Sequence, residues 1–150
     1  MATVSTVIKK AKSLYGCKES NGTAQAKVIR PYNKWAHRSI NCKTTKWCQT
    51  YCGSVIGAQC KVPYTKTNAC KQAASYYKNI KRWKSKTTKP SVGDQIFVNK
   101  YNHTGIVTKV TAYYVTYISG NLSNAVRYST IKWKNNSKID GYGRPRYSSK

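Results

Sequence analysis

This chain has very little acid. Glu19, Asp94 and Asp140 are its only carboxylate side chains, against 28 lysines and arginines. Internal salt bridges cannot neutralise a formal charge of +25, so the folded state carries self-repulsion. Histidine is scarcer still, with His37 and His103 alone, which leaves a short list for any imidazole base. The six cysteines (17, 42, 48, 52, 60 and 70) contain no C-x-x-C spacing, and neither histidine completes a finger pattern with them. A zinc site is therefore not expected, nor any other metal or cofactor. No apolar run approaches the roughly eighteen residues a membrane span needs. The opening "MATVSTVIKKAKSLYG" lacks the apolar core of a secretory signal. The expectation is a chain made in a host cytoplasm with reduced thiols, acting outside only after release by another device or when carried in a virion. There are no internal repeats and no low-complexity tract.

What is present points to a folded core. Hydrophobic residues make up 39% of the chain, with thirteen tyrosines, too apolar and aromatic for a disordered basic tail. A length of 150 residues suits one domain, 1–150, and we expect a monomer with no separate binding domain. Any one basic run reads as a solvated face. The whole excess calls for a polyanionic partner: nucleic acid, an anionic membrane surface or an anionic cell-wall polymer.

The first half reads as helical and the second as β. A first helix is expected over residues 3–15, with Val4, Val7, Ile8, Ala11 and Leu14 on one face. A long connection follows, in which Pro31 argues against a continuous helix. Thr44 or Thr45 is the expected cap of a second helix reaching about Gln59. Gly53 and Gly57, one turn apart in it, suggest close approach of another backbone. A third helix is expected from about Asn68 to Trp83, and then a basic loop, "KRWKSKTTKPSVG". From Asp94 the period changes to two, with short strands "DQIFVN", "TGIVTKV", "YYVTYIS" and "NAVRYST". Helices first and a meander afterwards means α+β, with N-terminal helices packed on a C-terminal antiparallel sheet.

Cysteine attack on an amide needs an ionised sulfur, a base in reach and a group to orient that base. Cys48 lies near the start of the second helix, with Lys43 and Lys46 nearby, where unpaired N–H groups favour a thiolate. Cys52 and Cys60, deeper in the helix, read as core. By spacing alone, a buried structural thiol is the commoner fate of Cys48 too. His103, at the mouth of a strand, is held more firmly than His37 on a loop and is the better base. Asn121 in "YISGN" is within reach of the neighbouring strand and able to accept the imidazole N–H, although Gly-Asn is also an ordinary hairpin turn. Asp94 after Gly93 reads as a turn residue. Trp35 and Trp83 read as core or groove wall, and Trp47 is placed in the groove.

Five segments in order, "WCQTYC", "KPSVGDQIFVN", "NHTGIVTKV", "YISGN" and "GYGRPRY", together with the opening "IKKAKSLYGCKESNGT", resemble the CHAP family over nearly the whole chain. These are cysteine- and histidine-dependent amidohydrolases and peptidases, related in fold to the NlpC/P60 peptidases. The resemblance implies a papain-like fold and a peptidoglycan hydrolase (an N-acetylmuramoyl-L-alanine amidase or a peptide endopeptidase) of phage-lysin type. It implies Cys48 as nucleophile and His103 as general base. The family's E-G-N reads Ser119-Gly120-Asn121 here, so orientation falls to Asn121, with Ser119 as a helper. The backbone N–H of Cys48 is the expected oxyanion donor, with Gln49 as a further candidate. Some members bind calcium through an acidic loop before the cysteine; "RSINCKTTKW" has no acid, so no calcium is expected. Partners on this reading are peptidoglycan and anionic wall polymers. A basic non-catalytic binder of wall polymer or nucleic acid on the same scaffold is the main alternative, and an acyl-transfer or deamidating enzyme acting on protein is a third.

Overall fold

A computed structural model describes residues 2–149. Helix α1 spans Val4–Ser13, and Thr3 caps it by accepting the Thr6 N–H at 3.2 Å. Its Val7 and Ala11 are buried, as the helical spacing requires.

The connection after α1 differs from expectation. Residues Gln25–Ile29 form a π-helical stretch that runs directly into α2, Arg30–Ala36. Pro31 is accommodated within this continuous helix because the widened turn bonds the Arg30 N–H to the Gln25 carbonyl, five residues back. That spacing moves the carbonyl that the proline ring would strike in a regular α-helix. Val28, Ile29, Tyr32 and Ala36 form its buried face.

Helix α3 covers Cys48–Gly53 and continues as a π-helical segment, Ser54–Gln59. Thr44 and Thr45 do not cap it; their N–H groups turn back to the Asn41 carbonyl. The cap position is Trp47, which leaves Cys48 as the first helical residue. The close approach at the two glycines is made by rings rather than backbone. A Cβ at Gly53 would lie 2.9 Å from Tyr32, and one at Gly57 would lie 2.5 Å from Trp35. Helix α4, Cys70–Asn79, is shorter than the sequence pattern suggests.

Six strands form one antiparallel sheet: β1 (Trp83–Ser85), β2 (Gln95–Val98), β3 (His103–Val110), β4 (Tyr114–Leu122), β5 (Ala125–Lys132) and β6 (Ile139–Gly143). Their spatial order is β1-β6-β2-β3-β4-β5. The meander β2 to β5 matches the four expected strands. Strand β1 lies in what read as a basic loop, and it exists because β6 returns to pair with it, Lys84 opposite Tyr142. The protein is thus α+β, helices against an antiparallel sheet.

Ile106, Ile118 and Val126 of the sheet meet Val7, Tyr51, Cys52, Val55 and Ile56 of the helices in the main core. A second cluster, including Ile96, Val107, Val115 and Tyr142, is built from the alternate residues of the strands. At Gly120 in β4 a Cβ would lie 2.7 Å from both Trp47 and Tyr51, so α3 rests directly on that strand. No helix among the described residues is long and apolar enough to cross a membrane.

Candidate active site

Cys48 opens α3 with no side chain capping the helix, so the first N–H groups remain available to an anion. The residue is 3% exposed. The Cys70 sulfur, at the first residue of α4, lies 3.8 Å away. A hydrogen bond from the Cys70 thiol holds Cys48 well below the ordinary thiol range, against the opposing effect of burial. The His103 imidazole and Lys46 add to the lowering. Cys70 is pushed up correspondingly, by its bond to Cys48 and then by burial. Of the two sulfurs Cys48 carries the charge, because the imidazole acts on it in addition to the lysine that both share.

His103 is the first residue of β3, held between the β2 pairing and a tethered loop. Lys46 provides the tether, its Nζ donating to the Asn102 carbonyl and side-chain oxygens at 2.9 and 2.8 Å. The imidazole Nε2 lies 3.0 Å from the Ser119 Oγ. With Nε2 engaged there, Nδ1 is the ring nitrogen left to face a proton on sulfur.

It is Ser119, not Asn121, that meets the imidazole. Asn121 has left-handed backbone, φ 58°, inside a bulge of the β4–β5 ladder. It lines a polar depression of about 240 Å³ with Glu19, Lys43, Lys46 and Asn124. His37 occupies the left-handed C-cap of α2, exposed, where it terminates a helix.

Two further expectations are corrected. Trp47 does not wall a groove: it is fully buried, and its indole N–H donates to Glu19 at 2.8 Å. Gln49 does not aim its amide at an oxyanion position. Its Nε2 donates to the Tyr64 hydroxyl at 2.8 Å, and its Oε1 accepts from Gln95 Nε2 at 2.7 Å.

That bond belongs to a buried network around Gln95. Its amide N–H₂ also donates to Thr104 at 2.9 Å, and its carbonyl accepts from Tyr77 at 2.9 Å and from Tyr64. Gln49 follows Cys48 and Thr104 follows His103, so the Gln95 side chain ties the chain neighbour of the thiol to that of the imidazole. Neither Gln95 nor Cys70 stood out in the sequence. Glutamine in a strand-start context carries no marker of burial, and Cys70 lies in a different helix from Cys48.

The three carboxylates are all committed elsewhere. Glu19 holds Trp47, and Asp140 accepts the backbone N–H groups of Lys100 and Tyr101. Asp94 is a turn residue, bonded to the Ser91 N–H, and is also paired twofold with Arg144, with contacts of 2.8 and 3.0 Å. That is the one ion pair among the described residues, so the other cations described pair with no carboxylate among those residues. The cavity of about 420 Å³ lined by Lys86, Thr87 and residues 133–137 includes neither Cys48 nor His103.

No family model and no curated protein matches the chain. Among solved structures, the crystal structure of Ly7917 is similar with a TM-score of 0.53 at 14% identity, over 96% of this chain and 63% of that one. The chain therefore spans less than two thirds of that structure. At such identity the likeness concerns the fold: helices set on an antiparallel sheet.

Proposed function

We propose that the protein is a cysteine amidohydrolase or peptidase of CHAP type, on a papain-like scaffold, that cleaves an amide bond in peptidoglycan. The observation that carries this reading is the row Cys48, His103, Ser119, a thiol held low beside an imidazole whose far nitrogen meets a polar side chain. In this reading Nε2–H donates to Ser119, which leaves Nδ1 to exchange a proton with sulfur. The Cys48 thiolate attacks the substrate carbonyl, and the Cys48 N–H at the helix start stabilises the developing oxyanion. His103 then protonates the leaving amine and activates the water that releases the acyl half from the thioester. The bond is a muramoyl-alanine amide or one in the peptide. The phage-lysin class fits a chain that reaches the wall after release or in a virion.

Cys48→Ala tests it. Clearing of a turbid wall suspension should fall more than about a thousandfold, with wall binding retained. Unchanged clearing would exclude Cys48 as nucleophile. Mass spectrometry of the fragments from a defined peptidoglycan identifies the bond.

A second reading, a basic binder without catalysis, draws on the unpaired cations and the slight exposure of Cys48. It requires that wild-type protein bind walls or nucleic acid yet release no fragment. Retarded DNA at low salt does not favour it, since any protein so basic binds DNA there.

A further inference from the structure

Cys70, in contact with Cys48, forms no bond to substrate in the steps above, since hydrolysis needs one nucleophilic sulfur. The six thiols are all free, and this is the one sulfur–sulfur contact among the described residues. The pair spans two elements: each cysteine opens its helix, and residues 61–69 between α3 and α4 have no regular structure. A disulfide requires the sulfurs to close from 3.8 Å to about 2.05 Å. Both residues are largely buried, at 3% and 9% exposure.

We propose that Cys48 and Cys70 are a peroxide-responsive pair that closes to a reversible disulfide and switches the site off. Bond formation rests on the geometry alone; the loss of activity rests on Cys48 being the nucleophile proposed above. In the first step the Cys48 thiolate attacks one oxygen of hydrogen peroxide. The O–O bond breaks, an S–O bond forms, and the departing hydroxide takes a proton to leave as water. Cys48 is then a sulfenic acid, oxidised by two electrons. The Cys70 sulfur attacks the sulfenic sulfur, the S–S bond forms, the S–O bond breaks, and water leaves with the thiol proton. A dithiol reductant reverses the bridge. The ionised state of Cys48 suits the first step, and burial pushes the thiols of Cys17, Cys42, Cys52 and Cys60 up, which disfavours their oxidation. Closing the bridge also protects Cys48 from irreversible oxidation.

The test is peptide mapping of fully reduced protein after about one equivalent of hydrogen peroxide and rapid alkylation. The expected product is a Cys48–Cys70 linked peptide, with the other four cysteines alkylated. Clearing of wall suspensions falls in proportion to the bridge and returns with dithiothreitol. In Cys70→Ser, raising the peroxide to several equivalents carries Cys48 through the sulfenic to the sulfinic acid, and dithiothreitol then restores none of the lost activity, whatever the starting rate. The proposal is overturned if the wild type accumulates Cys48 sulfinic acid while Cys70 stays alkylatable, or if a different pair bridges. If the bridge forms in a protein that never clears walls when reduced, the hydrolase reading fails and the redox pair stands. If reduced protein clears walls and Cys70 stays free, the pair fails and the hydrolase stands.

Discussion

Ser119 and Asn121 share a strand at positions two apart, and only one of them touches the imidazole. Alternation puts such residues on the same face, so the sequence had no means of separating them. The bulge between Ser119 and Leu122 separates them by turning Asn121 into left-handed backbone. Ser119→Ala should lower kcat about 10- to 100-fold by freeing the ring to rotate, with little change in wall affinity. Asn121→Gly keeps the left-handed backbone without the amide, and should cost less than about threefold in the same assay. The reverse ranking would return the orienting role to Asn121. The places of Cys48 and His103, at a helix start and a strand mouth, were legible because the signals for those element starts are local. Trp47 and Gln49 were misread because burial decides their direction. An indole N–H that finds Glu19, and an amide that finds Tyr64 and Gln95, are drawn inward by partners far away in the chain.

Among the elements, the seat of α3 on β4 matters most, because it sets the distance from sulfur to imidazole. Gly120 makes that seat possible. The Cβ of Gly120→Ala would sit 2.7 Å from Trp47 and Tyr51, both fully buried, so neither ring has room to yield. Overpacking there should cost about 1–3 kcal/mol and lower Tm by several degrees in a thermal melt. It should also reduce kcat, since α3 must lift from the sheet that carries His103. An unchanged melting curve would show that the contact is loose. The helix over residues 25–36 teaches the converse point about legibility. Its apolar residues were visible, but Pro31 argued for a break, and the π-helical turn that admits the ring depends on packing against α3 rather than on local preference. Strand β1 was hidden for a similar reason: Trp83–Ser85 forms only because β6 arrives beside it.

For the whole molecule, two pH-sensitive and salt-sensitive consequences follow from composition and burial together. Burial drives Cys52, Tyr51, Tyr64 and Tyr77 well above their ordinary values. The unfolded chain releases these protons at a lower pH than the native one, so their contribution is full below the ordinary values and declines above them. Cys48 has the opposite sign, but its stabilisation reaches its limit at the ordinary thiol pKa and offsets nothing beyond. Denaturant midpoints should therefore fall as pH rises from about 8.5 to about 10, before the lysines discharge. A flat profile over that window would contradict the burial of these groups. The cations that face no carboxylate should retain the protein on polyanionic walls by charge. Retention on purified wall should drop steeply between about 0.15 M and 1 M salt, as the Debye length shrinks from about 8 Å to about 3 Å. Retention unaffected by salt would assign binding to specific contacts instead.

Local chemistry in the chain was enough to read a folded α+β protein with a large cationic excess, a helical first half and a β-meander, and to single out Cys48 and His103 as candidates. Those properties depend on periodicity, charge count and residue type, which survive without coordinates. Which polar group meets the base, which second sulfur faces the first, and which glutamine joins their backbones depended on the tertiary fold. Each of these pairs residues from separate elements, and an interaction across elements is fixed by bulges, close-packed glycines and buried hydrogen bonds that leave no period behind.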